Sequence, residues 1–217
     1  MAMLLYGTSG SPFVRKVQVV LDEKGIAFEQ EPVIPINVSA EYRKISPLGK
    51  IPALVHDGKA LADSSAICAY LERIHPTPAL YPADPYEYAR ALWFEEYGDS
   101  AMLAVIGPKI FFKKFIAPRF FDQPCNDAEV QKTVDEELPP LLDYLESQLG
   151  DGPFLVGKGF SIADIGIATE LVNLRHAGVG VDPRRWPKLA RWAAGIHERP
   201  SFRKRIEEER ALFGVPA

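Results

Sequence analysis

The chain has 217 residues, 47% of them hydrophobic and 25% charged, with a formal net charge of −4 at pH 7. That size and composition suit a globular protein of one or two domains, and the slight acidity excludes a basic footprint for nucleic acid or anionic lipid. Two cysteines (Cys68 and Cys125) and four scattered histidines fit neither a disulfide framework nor a metal pattern.

The opening MAMLLYG lacks the charged and apolar regions of a signal peptide, and no run reaches about 18 apolar residues. A cytoplasmic location, with no membrane and no nucleic-acid partner, is the expectation. Residues 3–6 form a short apolar strand. Residues 11–24 repeat apolar positions at Val14, Val17, Val20 and Leu21, a helix stopped by Gly25. Residues 27–33 alternate as a strand with an edge near Pro32. Ser39 starts a short helix over 39–45. Residues 53–56 and 59–61 flank Asp57-Gly58, a hairpin signal. A helix over 64–74 follows, and it holds Cys68 as a buried small residue.

The order is β-α-β-α-β-β-α. Helical crossovers favour parallel pairing of the first strands, and the hairpin makes the last pair antiparallel. This mixed sheet is a thioredoxin-like layout. Residues 75–85, HPTPALYPADP, carry four prolines and no periodicity, and so read as a linker. Everything beyond is helical. A long run from residue 86 bends at Gly107-Pro108 and continues through FFKKF. A second covers 127–149, where Pro139-Pro140 should kink or split it. Helices over 161–174, 187–198 and 201–212 complete an all-α domain. The domain expectation is 1–76, a linker at 77–85, and 86–217.

In TSGSPFVRKV, residues 8–17, Pro12 suits the first helical position because its missing N–H goes unpaired there. Ser11 is then the N-cap. Capping alone accounts for it. A reactive role needs a thiolate or another anion at the same helix end, where the dipole and a hydroxyl donor stabilise negative charge. The stretch by itself does not decide. In GKIPAL, residues 49–54, Pro52 ahead of a strand is ordinarily trans. A cis Pro52 turns the Ile51 backbone outward, free to pair with an extended peptide ligand. In ADSSAI, residues 62–67, Asp63 or Ser64 caps the next helix. The same N-terminus also suits a carboxylate, with Asp63 able to accept from an ammonium.

Arg15, Lys16, Lys113 and Lys114 read as solvated faces. Trp93, Phe94, Tyr97, Phe111, Phe112 and Phe115 read as core, a few of them able to line a pocket as well. Ser161-Ile162-Ala163-Asp164 has capping-box spacing, with Asp in place of Glu or Gln, and is structural.

Ser11-Pro12-Phe13, GKIPAL, ADSSAI, the Pro-rich linker and the SIAD box, in this order and spacing, resemble the cytosolic glutathione transferase family, in its serine-type, bacterial-like form. WPKLARW and ERPSF extend the likeness almost to the C-terminus. The resemblance implies an enzyme that uses glutathione as co-substrate without a metal, a small hydrophobic electrophile as second substrate (with conjugation, peroxide reduction and dehalogenation all open), a role in detoxification, and a homodimer. It implies that Ser11 donates its hydroxyl hydrogen bond to the glutathione sulfur. It also implies glutathione contacts at Phe13, Lys50, Ile51, Pro52, Asp63 and Ser64. Ile51 would pair its backbone with the cysteinyl part, Ser64 would hold the γ-glutamyl carboxylate, and Asp63 would face its ammonium. Lys50 would meet the glycine carboxylate, with Asn37 a weaker candidate. Asp63 stands where many relatives have Glu.

Tyr6 ends the first strand, where some classes of the family use a tyrosine hydroxyl; here it reads as packing or supporting. Ser9 fits the spacing less well than Ser11. The lack of a cysteine at position 11 argues against thiol-transfer chemistry, which needs a nucleophilic sulfur on the enzyme. A non-catalytic binding or accessory protein of the same fold is the alternative.

Overall fold

The computed structural model describes residues 3–214 and divides into two compact units, one of residues up to Tyr81 together with those from Arg199 onward, the other Pro82–Glu198. In the first unit, β1 (Met3–Tyr6), β2 (Phe28–Glu31), β3 (Ala53–His56) and β4 (Lys59–Ala62) form one sheet in the order β2-β1-β3-β4. β1 and β2 run parallel, while β1–β3 and β3–β4 are antiparallel. The parallel pair is joined through α1 (Pro12–Glu23), the crossover that parallel pairing requires. Asp57 and Gly58 both take positive φ, as a two-residue hairpin turn demands. This is the thioredoxin-like arrangement expected from the alternation of elements.

α1 packs on α3 (Ser64–Ile74). Leu5, Val14, Val17, Val20, Leu21, Leu54, Ile67, Cys68 and Leu71 are all fully buried in this unit. α2 (Ala40–Ile45) is capped by the Ser39 hydroxyl, which accepts from the Tyr42 N–H.

Two expectations differ from what is observed here. Arg15 and Lys16 are fully buried rather than solvated. The last helix, α11 (Pro200–Phe213), lies against α1 and belongs to the first unit, whereas the sequence grouped it with a domain over 86–217. For Arg15 and for the placement of α11 the physical reason is shared, whereas the Lys16 ammonium reaches α3 and donates to the Ser65 hydroxyl at 3.1 Å. A second helix covers the face of α1 that its charges suggested was wet, and it brings buried and half-buried partners. Glu209 pairs with Arg15 at 2.6 Å, and Arg199 pairs with Glu23 at 2.7 Å.

The second unit is helical. α4 (Pro85–Tyr97) is capped by Asp84, whose carboxylate accepts from the Tyr86 and Glu87 N–H groups. The run continues through a wide π-helical turn at Gly98–Met102, the short α5 (Leu103–Val105), a second wide segment at Ile106–Ile116, and α6 (Ala117–Phe120). Pro108 lies inside the second wide segment, where its missing N–H breaks the usual i→i−4 ladder. α7 (Asp127–Glu136) and α8 (Leu138–Gln148) are separate helices, split where Pro139-Pro140 predicted.

α9 (Ile162–His176) is the core helix, buried along nearly its whole length. Its N-terminus carries the expected capping box, with the Ser161 side chain taking the N–H of Asp164 and the Asp164 side chain taking the N–H of Ser161. Asp164 also accepts from Leu155 N and Trp192 Nε1, at 2.8 and 3.0 Å. α10 (Pro187–His197) packs on α9 and sets the His197 ring 3.1 Å from the Ala168 carbonyl.

Candidate active site

Strand register decides where the candidate residues meet. Tyr6 lies opposite Ala53 on one side and Glu31 on the other, and Ala53 lies opposite Ala62. The segment leaving β1 (residues 7–11), the one entering β3 (50–52) and the one leaving β4 (63–64) therefore converge at one end of the sheet. Gly7 is where two of them touch. A Cβ there would come within 3.4 Å of the Ile51 Cβ and 2.5 Å of Val14, so only glycine permits the approach.

Ser11 is half-buried at the N-terminus of α1, followed by Pro12 at the first helical position. Its oxygen accepts from the Val14 N–H at 3.4 Å, the long end of the hydrogen-bond range. This cap occupies a lone pair and leaves the hydroxyl proton for another acceptor. The helix end adds roughly half a positive charge. Capping and donation to an anion are therefore compatible at this one atom. Ser9 and Tyr6 are half-buried nearby, and the Tyr6 ring lies 5.9 Å from that of Tyr42.

The Ile51–Pro52 peptide is cis, which settles the alternative that the sequence left open. Among the described residues, no hydrogen bond to the Ile51 backbone is present outside the sheet ladder. The preceding carbonyl, that of Lys50, is pinned twice, by the Tyr42 hydroxyl and the Ser46 hydroxyl, each at 2.8 Å. Burial pushes the Tyr42 phenol above its ordinary pKa, opposed by the Ser46 hydrogen bond and reinforced by Tyr6, so it stays a donor. The Lys50 residue is exposed. Tyr42 had no sequence signal beyond its place in a short helix, and Ser46 none beyond its place at that helix's end.

At the third segment Asp63, with φ +83°, caps α3 through one carboxylate oxygen, which accepts from Ser65 N and Ala66 N at 3.0 Å each. Ser64 is the first residue of α3 and is buried, while Asp63 is exposed. Lys16, which the sequence put in solvent, donates to the Ser65 hydroxyl at 3.1 Å and brings a buried ammonium to this helix end. Its Nζ lies 5.9 Å from the centre of the half-buried Phe13 ring. Asn37 is exposed in the segment after β2, with φ +51°. Among the described residues, no group of three or more His, Cys, Asp or Glu could hold a metal ion, and no helix is long and apolar enough to cross a membrane.

Comparison with known proteins gives the family. Residues 5–79 match the glutathione S-transferase N-terminal domain, and residues 116–195 match its C-terminal domain. The uncharacterized GST-like protein YibF of Escherichia coli (strain K12) is 33% identical over 203 residues, covering 92% of this chain and 96% of that one. A glutathione S-transferase of Hyoscyamus muticus is 31% identical over 218 residues, covering 95% and 99%. Among solved structures, a glutathione S-transferase-I bound with lactoylglutathione superposes with a TM-score of 0.84 at 25% identity, covering 95% of this chain and 99% of that one. The chain belongs to the cytosolic glutathione S-transferase family, and its fold is a thioredoxin-like sheet domain with a helical domain.

Proposed function

We propose that the protein activates the glutathione thiol as a thiolate for attack on a small hydrophobic electrophile, with Ser11 as hydrogen-bond donor to the sulfur. The observation that carries this reading is the convergence of the Ser11 hydroxyl with the cis Ile51–Pro52 peptide and the N-terminus of α3 at one end of the sheet. A peptide thiol laid along Ile51 would meet a hydroxyl donor and a helix N-terminus at its sulfur. Its α-carboxylate would reach the second helix N-terminus at Ser64, with the Lys16 ammonium close by.

A free thiol titrates near ~8.5, and both the donor and the α1 dipole stabilise the anion, so the thiolate forms at lower pH. The thiol proton passes to solvent. The sulfur lone pair then forms the new S–C bond as the leaving group departs with its electron pair, or as a strained ring opens. Peroxide reduction by the same thiolate is the neighbouring chemistry. Lys50 serves the glycine carboxylate, Asp63 the γ-glutamyl ammonium, and Phe13 lines the first turn beside the sulfur. The bound neighbour, with lactoylglutathione, supports glutathione as the ligand class. We also read the protein as a cytoplasmic homodimer acting in detoxification, a state that light scattering checks.

The deciding experiment titrates bound glutathione by ultraviolet absorption in wild type and in Ser11→Ala. The variant should bind glutathione within a few-fold of wild type, form thiolate only at higher pH, and turn over ~10²–10³ more slowly. An unchanged titration removes Ser11 from the mechanism.

A further inference from the structure

The turn that carries Ser11 has one hydrogen bond of ordinary length, from Arg15 N to the Ser11 carbonyl at 3.0 Å, and two long ones. Ser11 N to Thr8 O and Val14 N to the Ser11 hydroxyl are both 3.4 Å long. Two further contacts to the turn come from the last helix, α11. One Glu209 carboxylate oxygen accepts the Gly10 N–H at 3.3 Å and Arg15 Nε at 2.7 Å, and the other accepts Arg15 Nη2 at 2.6 Å. One helical turn further on, Phe213 closes over Gly10. A Cβ at Gly10, which has φ +91°, would lie 2.5 Å from the Phe213 Cζ.

We propose that Glu209 and Phe213 are positioning residues for the sulfur site, holding Gly10, the residue before Ser11, from outside and thereby the direction in which the Ser11 hydroxyl points. The proposal rests on the reading of Ser11 as the donor to the thiol. Both residues lie on one face of α11, four apart, and grip the turn from the same side. Arg15 neutralises Glu209, so the carboxylate beside the turn does not oppose a thiolate. Hydrogen-bond donation to a developing anion depends on distance and angle, and a displacement near 1 Å costs up to roughly 10²-fold in rate.

The test uses two charge-neutral changes, so that a shift in titration reports geometry rather than a lost charge. Phe213→Ala uncovers Gly10, and Phe213→Leu restores a large apolar cover. The double variant Arg15→Met/Glu209→Met removes the acceptor of the Gly10 N–H without stranding a charge, a replacement that buried pairs often tolerate. Each is measured in the full chain by thermal melting, glutathione calorimetry, ultraviolet titration of bound thiolate, and kcat and KM with an aryl halide.

Phe213→Ala and the double variant should bind glutathione within about threefold, form thiolate at higher pH and lose roughly tenfold in kcat, with Phe213→Leu near wild type. Thiolate titrations and kcat equal to wild type in a folded variant overturn the proposal. So does loss of glutathione binding without loss of folding, because α11 would then build the binding site rather than aim the hydroxyl. The two variants act on different contacts, so if one fails to fold the other decides. Failure of wild type itself to form thiolate on adding glutathione sinks the reading of Ser11 instead, and the two failures are distinguishable.

Discussion

Arg15 and Glu209 are 194 residues apart in the chain and meet in a two-pronged ion pair, Nε at 2.7 Å and Nη2 at 2.6 Å, with side chains 0% and 1% exposed. Planar guanidinium and carboxylate forks match in this geometry, which makes the pair strong in register as well as in charge. It ties the final helix to the helix that begins at Ser11.

Removing one partner of a buried pair leaves the other charge uncompensated. Arg15→Ala should therefore lower the unfolding free energy by about 3–5 kcal/mol. Glu209 would be stranded, and the guanidinium stem would leave a cavity. Chemical denaturation measures this, and a loss within 1 kcal/mol would mean that the Glu209 charge finds water or another partner.

Asp63 has one observed task and one proposed for it, and the two are separable. Its carboxylate oxygen caps α3, a role that an asparagine carbonyl can fill, while its charge is assigned to the glutathione ammonium. Asp63→Asn should thus keep stability within about 0.5 kcal/mol and weaken glutathione binding roughly tenfold. Asp63→Ala should do both, with a stability loss of about 1 kcal/mol. Calorimetry and denaturation on the two variants separate the tasks; equal affinity of Asp63→Asn and wild type removes the charge from the binding role.

Tyr42→Phe deletes one of the two hydroxyls that pin the Lys50 carbonyl. The Ser46 hydroxyl remains, so the carbonyl is not orphaned. Stability should fall by about 0.5–1.5 kcal/mol, and glutathione affinity by a few-fold as the Lys50–Ile51 segment loosens. Affinity unchanged by calorimetry would separate this hydrogen bond from the site.

Asp164 predicts a pH dependence in the helical unit. Burial pushes its carboxyl up to about 6 from 3.8, against the hydrogen bonds from Leu155, Trp192 and Ser161 that pull it down. The folded protein thus keeps a proton there over a pH range in which the unfolded chain has released it. This contribution is fully present below about pH 4 and is lost as the pH rises through about 6. The stability of wild type relative to Asp164→Asn should fall between those limits by on the order of 2–3 kcal/mol, then level off. Denaturant midpoints measured from pH 4 to 7.5 provide the check, and a rise in that difference would reverse the assignment.

Much of the architecture was legible in the chain because helix and strand periods are local properties. Pro12, Gly25, Asp57-Gly58 and Pro139-Pro140 marked boundaries by what each residue does to its own backbone. The capping box at Ser161 and Asp164 was legible for the same reason, since both partners lie within four residues. The meeting place of the candidate residues was legible in outline. GKIPAL and ADSSAI each hold a local feature, and strand register does the rest by aligning Tyr6, Ala53 and Ala62. Tyr42, Ser46 and Lys16 were not legible, because each acts on another segment through a contact that no periodicity encodes.

By itself, the sequence determined the order of elements, the family resemblance and Ser11 as the residue at the head of α1. Only the tertiary structure decided that Arg15 and Lys16 are buried, and that the helix from Pro200 joins the sheet unit. A charged residue on a helix costs little in water and much in a core without a partner. Its burial is therefore settled by a partner far along the chain, here Glu209 for Arg15, and not by its neighbours in sequence.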